Sequence, residues 1–278
     1  MEEILYRSAA IAERLYGYLI RICRLLFEWA KPIEIKAQSV FYIQYFFGRC
    51  FAFIAAPLMP VAMKMLRYRV RDMAHIRQTV RHLLKKHKGP WIICANHLTM
   101  IDSLILAWAM MPAYRYMLNY RWAPWNVPER NNFHRNIIIR WLCYLTKCIP
   151  ITRRGKRKTV RSTLDKCALV LRKKQNLMIF PEGGRSRSGR IDIENFQYGV
   201  GRLVNQNPDC RVMCIYLRGD HQDQYSNFPR FREVFSMTLD VCSPTSMFNG
   251  LKAHRDCAQQ IIVHLAQMEK NYFDSCGK

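Results

Sequence analysis

Apolar side chains along this chain gather into short continuous runs rather than a strict alternation. Trp91-Ile92-Ile93-Cys94-Ala95, Leu177-Met178-Ile179-Phe180 and Val212-Met213-Cys214-Ile215-Tyr216-Leu217 are the clearest. Runs of this length without a polar face read as strands covered on both sides, the pattern of a largely parallel sheet. Between them the period changes. Met100 to Met110 reads as a largely apolar helix, and Leu164, Cys167, Ala168 and Leu171 share one helical face, while Lys166, Arg172, Lys173 and Lys174 fall largely elsewhere. The expected fold is α/β: a mixed, largely parallel sheet flanked by helices, over residues 67–278.

The first 66 residues have a different texture. Ile4 to Trp29 reads as an amphipathic helix in which Arg7, Arg14 and Arg21 recur every seven residues opposite Leu5, Leu15, Leu19 and Trp29. Phe41 to Met63 is a second apolar segment, interrupted by Gln44 and Arg49 and disrupted near its end by Pro57 and Pro60. Its longest unbroken part, Cys50 to Met63, falls short of the ~20 residues that cross a bilayer as a helix. The opening Met1-Glu2-Glu3 lacks the basic start of a secretory signal. Residues 1–66 are therefore expected to be membrane-associated helices lying in one leaflet on the cytoplasmic face, a monotopic attachment.

Charge narrows the partners. A formal net charge of +24 calls for an anionic counterpart: an acidic membrane surface, a phosphorylated substrate or nucleic acid. The densest run, Arg153 to Arg161, has no interleaved aromatic residues to stack bases, and no zinc-finger or RNA-recognition spacing surrounds it, so nucleic acid is not the expected partner. Eleven cysteines contain no Cys-x-x-Cys pair, and several sit in apolar patterns where a thiol acts as a small hydrophobe. Reduced thiols, no metal site and no bound cofactor are expected.

Candidate chemistry lies where strands end. Ala95-Asn96-His97-Leu98-Thr99-Met100-Ile101-Asp102 follows the first buried run, and Phe180-Pro181-Glu182-Gly183-Gly184-Arg185-Ser186 follows the second. A histidine followed five residues later by an aspartate is an ordinary coincidence in isolation. At the junction of strand and helix it gains weight, because open α/β sheets collect their ligand-binding residues there. Histidine is the side chain whose unperturbed pKa suits base work at neutral pH, and a carboxylate partner fixes its tautomer and steadies the imidazolium. Paired glycines let main-chain N–H groups approach a ligand, and Arg185, Arg187 and Arg190 offer forked donors to phosphate.

These blocks, in this order, resemble the glycerolipid acyltransferases over about Lys85 to Thr245. The resemblance implies acyl transfer from acyl-CoA or acyl-carrier protein to the 2-hydroxyl of 1-acylglycerol 3-phosphate, giving phosphatidate. It makes His97 the general base and Asp102 its orienter, with Arg153, Glu182, Gly183, Arg185 and Ser186 at the acceptor. In the second block, Lys147 to Arg153, the family's glycine is replaced by Lys147, so only Arg153 carries over. Gly184 stands where lysophosphatidate acyltransferases usually have Thr, which makes the third block resemble that of the glycerol-3-phosphate acyltransferases. Acylation of glycerol 3-phosphate or another lysolipid is thus the alternative, and a non-catalytic basic membrane or nucleic-acid binding protein is the alternative of another class. No Gly-x-Ser-x-Gly elbow occurs, which argues against a hydrolase. Amides near the helix start beyond His97 are candidates for stabilising the oxyanion.

Overall fold

A computed structural model describes residues 34–133, 136–153 and 155–276. The amphipathic segment Ile4 to Trp29 lies outside the described residues. The chain forms two compact units that divide between Ile43 and Gln44.

The larger unit is built on one six-stranded sheet. Its strands are β1 (Arg69–Val70), β2 (Trp91–Ala95), β3 (Trp125–Asn126), β4 (Leu177–Ile179), β5 (Arg211–Gly219) and β6 (Val234–Cys242), in spatial order β1-β6-β5-β2-β4-β3. Only the β5/β6 pair is antiparallel, so the sheet is mixed and mostly parallel, as the apolar runs imply. All five residues of β2 are buried, and so are all but the first of β5. A strand flanked by strands and covered on both faces favours apolar side chains throughout, which explains the runs, and of the residues in β2 and β5 only Arg218, near the end of β5, is a buried cation.

Nine α-helices and one 3₁₀ turn are described. They are α1 (Glu34–Met65), α2 (Met73–Lys86), α3 (Asp102–Met110), α4 (Ala113–Leu118), α5 (Arg130–Phe133), α6 (Ile137–Leu145), α7 (Arg157–Arg172), α8 (Gly199–Gln206) and α9 (Gly250–Cys276), with a single 3₁₀ turn at Tyr120–Trp122. In α9 the residues Ala253, Cys257, Ala258, Ile261, Ile262 and Leu265 are buried at helical spacing. Ile261, Ile262 and Leu265 each contribute roughly 1.5–3 kcal/mol by leaving water. Where α8 meets α9, a Cβ on Gly201 would overlap the His254 carbonyl, so glycine sets the closeness of that crossing.

Helix α1 departs from the expectation. Pro57 and Pro60 lie inside it, and the helix continues to Met65. Each proline removes one backbone hydrogen bond, and here the helix continues through that loss. Ala37–Met65 is consequently one helix of 29 residues, long and apolar enough to cross a membrane. At 1.5 Å per residue it is roughly 43 Å long, more than the ~30 Å hydrocarbon core requires. Length and composition alone therefore permit a crossing, where the broken apolar pattern had suggested too short a stretch.

Candidate active site

Sheet register brings the two reactive blocks together. Strands β2 and β4 are parallel neighbours with Cys94 opposite Ile179, so His97 and Glu182, each three residues further on, leave the same sheet edge side by side. The Glu182 carboxylate accepts the His97 backbone N–H at 2.8 Å. On the other flank, Cys94 faces Cys214 in β5. Asn96 extends that pairing with its side chain, donating to the Leu217 carbonyl at 2.9 Å and accepting the Leu217 N–H at 2.8 Å. Asn96 is thus buried sheet structure beside the site.

The six residues from His97 to Asp102 wind around the Asp102 carboxylate. Asp102 Oδ2 accepts the N–H groups of Leu98 at 2.7 Å and Thr99 at 2.8 Å, and lies 3.1 Å from His97 Nδ1. The Thr99 hydroxyl donates to Asp102 Oδ1. Asp102 is also the first residue of α3, where a negative charge is favoured by the helix N-terminus. The imidazole is clamped from a second side by Phe180, stacked at 4.1 Å between ring centroids with 19° between planes. With the Asp102 side chain 4% exposed and that of His97 13%, the pair is largely shielded from water. Leu98 and Thr99 therefore give their amides to Asp102, and Met100 gives its own to the Asn227 carbonyl. These three amides are thus committed within the protein, and the amides nearest the start of α3 belong to Ile101, Asp102 and Ser103.

The turn after β4 depends on glycine at one position. Gly183 has φ +66°, and a Cβ there would run into the side chain of Gln197, a residue whose backbone N–H donates to the Pro181 carbonyl at 2.8 Å. Burial pushes the Glu182 carboxyl up to about 8, with Glu269 and Asp102 adding to the rise and the His97 N–H opposing it. Glu182 therefore takes a backbone amide rather than an arginine. Ser186 is likewise committed: its N–H donates to the His97 carbonyl at 2.8 Å and its hydroxyl to the Arg190 carbonyl.

Two arginines converge on this turn from separate elements. Arg185 Nη1 donates to the Ser226 carbonyl at 2.9 Å and to Asn227 Oδ1 at 2.8 Å. Arg153 arrives from the segment before α7, and its Nη1 lies 3.6 Å from where a Cβ on Gly184 would stand. Burial and the nearby Arg185 cation lower the Arg153 pKa against the opposing pull of Glu129. Glu129, which sequence reasoning missed, holds that arginine: its Oε2 is 3.3 Å from Arg153 Nε and accepts the Arg153 N–H at 3.1 Å. Its only sequence signal is its scarcity as a carboxylate in a chain with 20 acidic and 44 basic residues.

Lys147 explains the substituted glycine of the second block. Its φ is +57°, in the left-handed region that favours glycine. The side chain is buried, and Nζ donates to the carbonyls of Tyr120 at 2.6 Å and Ala123 at 2.9 Å and to Gln175 Oε1 at 3.1 Å, over the Tyr120 ring. Burial pulls its pKa well down. A lysine is tolerated there because all three ammonium donors find acceptors.

The α/β fold thus places a shielded histidine–carboxylate pair at the end of a parallel strand, with Arg185 in the neighbouring turn and Arg153 beside Gly184. A family model described as acyltransferase matches residues 67–218, which contain all of these side chains. The chain belongs to that family, the glycerolipid acyltransferases. Among curated proteins none matches it.

Proposed function

We propose that the protein acylates the 2-hydroxyl of 1-acylglycerol 3-phosphate, with acyl-CoA or acyl-carrier protein as donor, to give phosphatidate. The observation that carries this reading is the pairing of His97–Asp102 with the neighbouring guanidinium groups of Arg153 and Arg185. His97 Nδ1 faces Asp102, which leaves Nε2 as the nitrogen that takes a proton. The acceptor hydroxyl gives its proton to Nε2 as its oxygen attacks the thioester carbonyl carbon. The tetrahedral intermediate then collapses, the C–S bond breaks, and the leaving thiolate recovers the proton from the imidazolium. Asp102 supports the transient positive charge. Arg153 and Arg185 hold the acceptor phosphate with forked donors, and Glu182 holds the His97 backbone in place.

Gly184 favours one competing acceptor. A Cβ there would stand 3.6 Å from Arg153 Nη1, so the side chain at this position borders the proposed phosphate ligand, and glycine there, as in the glycerol-3-phosphate acyltransferases, keeps glycerol 3-phosphate or another lysolipid as the competing acceptor. Supplying purified protein with lysophosphatidate, glycerol 3-phosphate and lysophosphatidylcholine in competition, and identifying products by mass spectrometry, decides between them. Predominant phosphatidate supports the proposal, and predominant 1-acylglycerol 3-phosphate replaces it with the alternative. In the same assay His97→Ala is expected to slow transfer by ~100-fold or more.

Attachment is proposed to be monotopic, at an anionic cytoplasmic membrane face. Within the larger unit, α1 is fastened along its length: Gln44 Nε2 donates to the Tyr144 carbonyl at 2.8 Å, and Met63 is buried in the main core. A helix held to the catalytic domain at both points lies along it, with its remaining face turned to lipid.

A further inference from the structure

Helix α6 combines features that the acyl-transfer site does not use. It spans Ile137–Leu145, its first turn is capped by the Asn136 side chain accepting the Ile138 N–H at 2.8 Å, and Tyr144 is its buried residue. The outward face is aliphatic: Ile137, Ile138, Ile139 and Leu142 are all exposed, Ile138 to 65%. A capped amphipathic helix ordinarily turns such a face inward. Here the hydrophobic face is the solvent face.

The surroundings of α6 identify what covers it. Its C-terminal end is crossed by α1, through the hydrogen bond from Gln44 to Tyr144 and the close approach of Gly48, where a Cβ would lie 2.9 Å from the Leu145 carbonyl. Next to that crossing α1 exposes Phe46 to 62% and Phe47 to 47%, followed by Phe53, Ile54 and Leu58. The apolar face of α6 therefore adjoins that of α1. Cations border it along the chain: Arg130 shortly before α6, and Lys156, Arg157, Lys158 and Arg161 after it, are exposed. Exposed aliphatic side chains with exposed cations close by in the sequence, in a chain of formal charge +24, match an anionic bilayer, where the former enter the acyl boundary and the latter meet head groups. A second copy of the chain fits worse, because each brings a formal charge of +24 and the same cations to the contact.

We infer that α6 is a second membrane-inserting element, carried by the catalytic domain itself and seated in the same leaflet as α1. This rests on the monotopic reading above and adds a contact that α1 does not supply. It has a consequence for the site. Two residues after α6 begins the segment Lys147 to Arg153 that delivers Arg153 to Gly184, so insertion of α6 sets the acceptor site at head-group level.

The test uses the full chain and vesicles of phosphatidylcholine mixed with phosphatidylglycerol. A photo-crosslinking benzoylphenylalanine is placed singly at Ile138, at Ile54 of α1, or at Val263 on the exposed part of α9, and adducts are read by mass spectrometry. Lipid adducts at Ile138 and Ile54 but not at Val263 are expected. The double variant Ile138→Ser, Leu142→Ser should partition into these vesicles ~10-fold or more weakly while keeping its rate on a detergent-dispersed acceptor. Lipid adducts at Ile54 alone, or protein–protein adducts at Ile138, overturn the inference and leave the attachment through α1 standing. Absence of lipid adducts at both positions overturns the two together.

Discussion

Replacing Asp102 with Asn removes one charge and little else. The Asp102 carboxylate accepts four hydrogen bonds, from His97 Nδ1, the Leu98 and Thr99 amides and the Thr99 hydroxyl. Alanine would strand two buried amides, each at a cost of roughly 1–3 kcal/mol, and would mix folding with chemistry. The Asn carbonyl oxygen can still take both amides, and the Thr99 hydroxyl can turn to accept from the new NH₂. What is lost is attraction between a carboxylate and an imidazolium 3.1 Å apart. At an effective dielectric constant of about 20 this is ~5 kcal/mol for full charges. Because the proton is only partly transferred in the transition state, a loss of roughly 10²–10⁴-fold in kcat is expected. The assay is thioester consumption with saturating acceptor, accompanied by a thermal melt and by the KM of the acceptor. KM should change little, since the phosphate ligands are untouched. A folded Asp102→Asn protein retaining kcat within ~3-fold would refute the reasoning, because less than about 1 kcal/mol would then come from the ion pair.

Arg153→Lys and Arg185→Lys each keep the charge and lose the fork, so each should raise acceptor KM by ~10-fold while leaving donor KM nearly unchanged; a change confined to the donor would reassign these residues to the carrier. Glu182 offers a test through pH. Its carboxyl moves from an ordinary 4.5 to about 8 on folding. Between these values the folded protein keeps a proton that the unfolded chain has released, so this group lowers stability as pH rises through the window, by up to ~1.4 kcal/mol per pH unit. Denaturant titrations across the window should show that slope flattened in Glu182→Gln, and an unchanged slope would mean that Glu182 is not the group responsible. Gly183→Ala should destabilise by roughly 1–3 kcal/mol, because φ is +66° and the new methyl meets Gln197; a variant melting with the parent would show that the turn relaxes freely.

Much of the catalytic end was legible because it is local. The strand Trp91–Ala95 was visible as an apolar run with the same bounds, and Leu177 to Phe180 ends one residue later in the pattern than in β4. His97 and Asp102 meet within one turn, so their spacing already carried their contact. Residues in one short loop need no knowledge of the rest of the chain.

What crosses between elements was decided only by tertiary structure. Glu182 and His97 are neighbours because β2 and β4 are adjacent, parallel and in one register, a fact no local pattern contains. Arg153 finds Glu129 across a long sequence separation, and neither residue announces the other. Lys147, which broke the expected glycine pattern, becomes understandable once the carbonyls of Tyr120 and Ala123 surround its ammonium. Helices α1 and α6 show most clearly what packing adds. Their apolar composition could be read directly, but whether an apolar face is buried or exposed depends on the neighbours it meets. Sequence determines which side chains avoid water, and the packing of distant segments decides which of them still face outward.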